Sequence, residues 1–152
     1  MAIASEAKAQ CDEEEKFLID FAYETGCRIN ETIKFKAEDM DGDLITLWTR
    51  KSKNSNLTPR RIPKPECLNG IEFKGKLFKR WETIPHFLYR KFMEMKEENP
   101  NIKTWGFHNL RHKRESLWAN SNIPTYEIMT RLGHSNISTT MGYLRILGFT
   151  RL

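Results

Sequence analysis

Apolar residues at helical spacing open the chain. In DEEEKFLIDFAYE (12–24), Phe17, Phe21 and Ala22 fall on one face behind an acidic first turn that suits the helix dipole, which predicts a helix. Gly26 stands in the helix-stopping position. Residues 28–35 read as a second, shorter helix with Ile29, Thr32 and Ile33 turned inward. The period then changes. Asp41-Gly42-Asp43 is a turn signal, and LITLWT (44–49) alternates in β-rich residues, which predicts a strand. Residues 51–58 are polar and turn-like, and PRRIP (59–63) begins a second strand whose prolines confine it to an edge or a short pairing.

Helical spacing returns after this hairpin. Residues 85–98 place Phe87, Leu88, Phe92 and Met95 on one face, and Asn99-Pro100-Asn101 ends the run. Residues 108–120 form the next helix, with Leu110, Leu117 and Trp118 expected in the core. A short helix over 124–132 has proline in its first turn and Gly133 just past its end. Ser138-Thr139-Thr140 caps a final helix through Tyr143 and Leu147. The pattern predicts a mostly helical α+β domain with a small antiparallel sheet, without repeats or low-complexity segments.

Composition narrows the partners. With 39% hydrophobic and 30% charged residues, the 152-residue chain suits one soluble domain with a real core. Its longest apolar runs, such as 17–21 and 146–149, are far too short to span a bilayer, and no secretory signal opens it. Cys11, Cys27 and Cys67 are scattered and odd in number, which suits reduced thiols in a cytoplasm rather than disulfides or a zinc site. Residues 1–26 hold seven acids and two bases, so the net charge of +5 conceals a basic remainder. Between Leu44 and Pro65 stand Arg50, Lys51, Lys53, Arg60, Arg61 and Lys64 without one acid. A one-sided hairpin of this kind suits a polyanion, since each cation set against a phosphate releases counterions.

Four segments carry the candidate chemistry: TGCRINE (25–31), the basic hairpin, HNLRH (108–112) and LGHSNISTTMGY (132–143). Taken singly, each has an ordinary explanation as a salt bridge, a helix end or a core tyrosine. Together they hold what attack on a phosphodiester needs. Arg28 and Arg111 are planar, permanently charged forks for the non-bridging oxygens. Tyr143 is a nucleophile able to form a covalent intermediate. His108, His134 and the hairpin lysines Lys51 and Lys53 are proton donors or acceptors. A metal-dependent nuclease would need carboxylates near the histidines, and only Glu115 and Glu127 qualify by sequence.

In this order the segments resemble the catalytic domain of the tyrosine recombinase, or phage integrase, family over about residues 15–147. TGxRxxE is matched by Arg28 and Glu31, HxxR by His108 and Arg111, and LGH by His134, with Tyr143 nine residues later. The resemblance implies that Tyr143 attacks the scissile phosphate to give a 3′-phosphotyrosyl link, without cofactor or metal. Arg28 and Arg111 would clamp the phosphate, His134 would donate to it, and His108 would help remove the tyrosine proton. A hairpin lysine would protonate the leaving oxygen; Lys51 directly follows the strand, and spacing leaves Lys53 open. Glu31 would support the first motif, and Arg50, Arg60, Arg61 and Lys64 would contact DNA. His112 reads as structural, and Cys27 and Asn30 receive no chemical role.

The resemblance also implies double-stranded DNA as partner, a tetramer on DNA in the full-length protein, no membrane, and a cytoplasmic setting of bacterial, phage or mobile-element origin. Family members close around DNA with an upstream helical domain, so residues 1–152 are expected to be the catalytic domain alone, with weak DNA affinity of its own. A type IB topoisomerase-like enzyme and an inactive DNA-binding relative are the alternatives.

Overall fold

The computed structural model describes residues 7–50, 56–101 and 106–134; the final helix expected through Tyr143 and Leu147 and the turn carrying Lys51 and Lys53 lie outside them. Helix α1 (Glu13–Thr25) starts in a reciprocal capping box. Asp12 accepts from the Glu15 N–H at 2.9 Å, and Glu15 accepts from the Asp12 N–H at 3.0 Å. It stops at Gly26, whose φ of 66° is left-handed. Helix α2 (Ile29–Lys34) follows at once. Strands β1 (Met40–Asp41), β2 (Leu44–Arg50) and β3 (Leu57–Pro63) form an antiparallel sheet in the order β1-β2-β3. The two-residue β1 was not expected; the Gly42 turn folds Met40 back onto Ile45. Helices α3 (Phe87–Glu98), α4 (Phe107–Asn120) and α5 (Thr125–Leu132) complete the described chain. The mostly helical α+β class with a small antiparallel sheet is therefore as expected.

The main core gathers Leu18, Ile19 and Phe21 from α1, Ile33 and Phe35 at the end of α2, Ile45, Leu47 and Ile62 from the sheet, and the inner face of α3. Aromatic rings run through it in sequence. Phe21 lies 5.0 Å from Phe35 and 5.5 Å from Phe78, and a path through Trp81 and Phe87 reaches Phe107, 5.7 Å from Phe87 at the start of α4. Offset and edge-on pairs like these add stabilisation beyond the area they bury. A second, smaller cluster joins Trp118 to Ile128 and Leu132 and holds α5 against α4.

Two expectations about faces need correction. Leu117 is exposed at 42%, because the inward stripe of α4 is Leu110, Arg111, Glu115 and Trp118. Arg60 is buried as well, because period-two alternation puts Arg60 and Ile62 on the inner face of β3, opposite Leu47 and Ile45. Among the described residues no helix is long and apolar enough to cross a membrane. None of the three cysteines is in a disulfide.

Candidate active site

Arg28 sits at the junction of α1 and α2, where the chain reverses within three residues. Gly26 makes that reversal feasible: its φ is positive, and a Cβ there would lie 3.0 Å from Trp118 and 3.1 Å from Arg114. Glu31 then accepts the Arg28 backbone N–H at 2.8 Å, which fixes the residue that begins α2. The Glu31 carboxylate is itself buried and bonded to both terminal nitrogens of Arg60 and to the Thr49 hydroxyl. Burial pushes its pKa up, but the bonds and charge of Arg60, with Thr49 and the Arg28 backbone, outweigh burial and hold it below the ordinary value.

Arg60 is thus the centre of a lock between three segments. It pairs with Glu31 beside the first motif, contacts Thr49 on β2, and donates from Nε to the Arg131 carbonyl at 3.0 Å at the end of α5. This corrects its expected place among DNA-facing cations, since its guanidinium is enclosed and its donors are occupied. It also explains Gly133. That residue has a φ of 74°, and a Cβ on it would come within 2.6 Å of the Arg60 Nη1. The glycine of the LGH segment is therefore required by the close passage of an arginine as well as by its backbone angle.

Arg111 makes a second lock. From α4 it donates to the Gly26 carbonyl at 2.8 Å and to the Leu132 carbonyl at 2.6 Å, which ties the end of α1 to the end of α5. Its Nη2 also approaches His134 Nε2 at 3.5 Å. Five N–H donors in a rigid fork allow Arg111 to hold both loops and still face a ligand. Burial, with the neighbouring charges of Arg28 and Arg60, lowers its pKa to about 10, so it stays cationic at neutral pH.

These locks bring distant residues to one cavity of about 330 Å³. Its wall includes Arg28, His108, Arg111 and His134, with Cys27, Ile84 and Phe107. His108 is exposed on the first turn of α4, where the Asn109 side chain accepts the Gly106 N–H at 2.9 Å and secures the helix start. Its ring meets His112 one turn along: the two Nε2 atoms are 2.7 Å apart and the rings are perpendicular at 89°. His134 is pushed down to about 4, by burial first and then by Arg111, Arg28 and Arg60, so it is a neutral imidazole at physiological pH. A guanidinium can only donate, so a hydrogen bond across this 3.5 Å contact requires the tautomer with Nε2 as acceptor and the proton on Nδ1.

Arg28, His108, Arg111 and His134 thus line one cavity, and Glu31 accepts the Arg28 backbone N–H beside it. Lys51, Lys53 and Tyr143 lie outside the described residues. Arg50 and Arg61 are exposed, Arg61 within 3.6 Å of Asp41, and Lys64 is half-buried. Sequence reasoning missed the lock made by Arg60 and the pairing of His112. The strand alternation and the four-residue histidine spacing were the signals for them. Cys27 is buried between the hydroxyls of Thr25 and Thr32, and burial raises its pKa, which suits packing rather than reactivity. Among the described residues, no cluster of three His, Cys, Asp or Glu side chains is arranged to hold a metal.

Comparisons with known proteins agree with this geometry. The model of the Phage integrase family matches residues 76–147. A tyrosine recombinase XerA of Pyrococcus furiosus is 26% identical over 146 residues, covering 87% of this chain and 50% of the relative. A probable integrase/recombinase protein of Methanocaldococcus jannaschii is 25% identical, covering 83% of this chain and 44% of its own length. The chain thus spans about half the length of the curated relatives it matches. In fold, the catalytic domain of bacteriophage HP1 integrase superposes with a TM-score of 0.69 at 22% identity, over 93% of this chain and 83% of that one. Residues 76–147 thus match the phage integrase family model, and the fold of the chain is that of the HP1 integrase catalytic domain.

Proposed function

We propose that this chain breaks and rejoins DNA strands through a 3′-phosphotyrosyl intermediate on Tyr143. The observation that carries the reading is the shared cavity: Arg28, His108, Arg111 and His134, up to 106 positions apart, line one wall system large enough for a phosphodiester. Arg28 and Arg111 hold the non-bridging oxygens, and neutral His134 donates to them from Nδ1. A phenol of ordinary pKa, about 10, is scarcely ionised at pH 7, so its proton leaves during attack, with His108 as acceptor. The phenolic oxygen bonds to phosphorus, the bond to the 5′ oxygen breaks, and Lys51 or Lys53 protonates that oxygen. The tyrosyl ester keeps the bond energy, so rejoining runs the same steps in reverse and needs no nucleotide.

The substrate is double-stranded DNA, approached by exposed Arg50 and Arg61 and by half-buried Lys64. A related recombinase, XerH, is known bound to its difH substrate after cleavage, and its fold matches this chain with a TM-score of 0.62 at 16% identity. Site-specific recombination by a tetramer on DNA is the reading for the full-length protein.

Covalent trapping on a nicked duplex tests the proposal. The native chain is expected to give a protein–DNA band that survives denaturation, and Tyr143→Phe none. An adduct that persists in Tyr143→Phe removes Tyr143 as nucleophile. With a 5′-thiol leaving group, which needs no general acid, only loss of the acidic lysine among Lys51→Ala and Lys53→Ala should be rescued.

A further inference from the structure

We propose that His112 is the positioning residue for His108, holding one shared proton between their Nε2 atoms and so deciding what His108 offers to Tyr143. The inference rests on the phosphotyrosyl reading and adds a residue to it. Nε2 to Nε2 at 2.7 Å is a hydrogen bond only if a single proton lies between the rings, one nitrogen donating and the other accepting. Two imidazolium rings could not face each other this way. His108 is exposed at the helix surface, whereas His112 is half-buried, so the inner ring anchors the outer one. With Nε2 committed, the nitrogen left to His108 for a substrate or nucleophile proton is Nδ1. The hydrogen bond made by one ring nitrogen fixes the role of the other.

The surroundings suit this division. Facing the pair are Arg111 on the same helix, Arg28 at the start of α2 and His134 beyond α5; no carboxylate lines the cavity among the described residues. The place taken elsewhere by an acidic partner of a catalytic histidine is filled here by an imidazole. A carboxylate would strengthen the base and favour its imidazolium at neutral pH. An imidazole kept neutral by burial and by the charges of His108 and Arg111 orients the ring without that bias. During cleavage the Tyr143 proton passes to His108 Nδ1, and the resulting imidazolium donates its Nε2–H to His112 Nε2. During rejoining His108 returns the proton from Nδ1 to the phenolic oxygen as the tyrosyl–phosphorus bond breaks.

Two measurements on the native chain, His112→Phe and His112→Asn test this. The first is ¹⁵N NMR titration of the His108 ring without DNA. In the native chain Nε2 of His108 should carry the hydrogen-bond signature and titrate together with His112, and in His112→Phe His108 should titrate as a single, separate group. The second is the pH profile of covalent-adduct formation on nicked DNA. His112→Phe is expected to slow the step ~10- to 100-fold, a fraction of what a general base supplies, and to move its acid limb, while His112→Asn, which can accept the bond, recovers part of the rate. Unchanged His108 titration in His112→Phe overturns the pairing. A native rate and pH profile in His112→Phe overturns its role in the reaction. Failure of the native chain to form any Tyr143 adduct would instead remove the phosphotyrosyl reading, and the NMR titration would still decide the pairing.

Discussion

The two ends of the described chain are held by different forces. The body built from α1, the sheet and α3 is closed by a large apolar core, with Phe21, Phe35 and Phe92 fully enclosed. Among the described residues, the α4–α5 corner has a separate buried cluster of Trp118, Ile128 and Leu132 alone, while Leu110 of α4 joins the main core. It is fastened to the body by arginines that donate to backbone carbonyls: Arg60 to Arg131, Arg111 to Gly26 and Leu132, and Arg114 to Tyr23. A hydrophobic core tolerates small shifts. A guanidinium bonded to two loop ends fixes their separation to within a hydrogen bond, and both loop ends of the first and last motifs are fixed in this way. The cavity therefore lies where directional contacts outweigh greasy ones, which is what placing several charges around one phosphate demands.

The largest effect should come from breaking the Arg60 lock. Arg60→Met leaves the Glu31 carboxylate buried without its partner, and a loss of about 3–5 kcal/mol of stability is expected by denaturant unfolding. Exchanging both partners, as in Arg60→Met with Glu31→Leu, should recover much of that stability while DNA cleavage stays impaired, because Arg28 loses the acceptor of its backbone N–H. If Arg60→Met is as stable as the native chain, the corner is not held by this pair.

Ile128→Ala sharpens the other half of the comparison. It removes a fully enclosed side chain from the small cluster, and about 2–4 kcal/mol should be lost. Hydrogen exchange should then show α5 opening before α1 does. Equal loss of protection in both would mean that the two regions unfold as one.

A pH dependence follows from Glu115, which lies buried on the inner stripe of α4 with Oε1 unpartnered. Burial raises its pKa from 4.5 to about 7, partly offset by Arg111. The folded state therefore keeps a proton that the unfolded chain releases, and this contribution is full below pH 4.5 and lost as pH rises through about 7. His134 has the opposite sign. Its pKa falls from 6.5 to about 4, so its contribution is full above pH 6.5 and lost as pH falls through about 4. Glu115→Gln should raise the Tm at pH 8 by about 2–4 °C and leave it unchanged at pH 4. A gain of equal size at both pH values would show that charge is not the cause.

These contrasts explain what the sequence disclosed and what it withheld. Period-3.6 and period-2 patterns placed helices α1 to α5 and the hairpin, because apolar residues dominate those faces, but not the helical residues 7–9 or the short 3-10 turns at Ala37–Asp39 and Glu66–Leu68. The motif residues were legible because attack on a phosphate narrows the useful side chains to a few types. Arg60 was misplaced because a basic residue in a basic strand is assumed to face solvent, although its alternation with Ile62 pointed inward. Leu117 was misplaced for the complementary reason: the inward stripe of α4 spends two positions on Arg111 and Glu115, which no hydrophobic count anticipates. The strand β1 depends on a turn bringing back two residues, a pairing too short to leave a pattern.

The smallest effect separates neighbours on one strand. Arg61 points away from the core, 63% exposed in its side chain, and its contact with Asp41 is at 3.6 Å. An exposed pair of that kind is worth about 0–1 kcal/mol, so Arg61→Ala should barely change stability. Its effect should appear on DNA instead. Losing one phosphate contact lowers the slope of log affinity against log salt by about 1 and weakens binding to all sequences alike. Arg60, one residue earlier, should behave in the reverse way, with a large stability loss and, in molecules that remain folded, the native salt slope. If Arg61→Ala keeps the full slope, the outer face of β3 does not meet the DNA backbone, and the approach must be assigned to the hairpin end at Arg50.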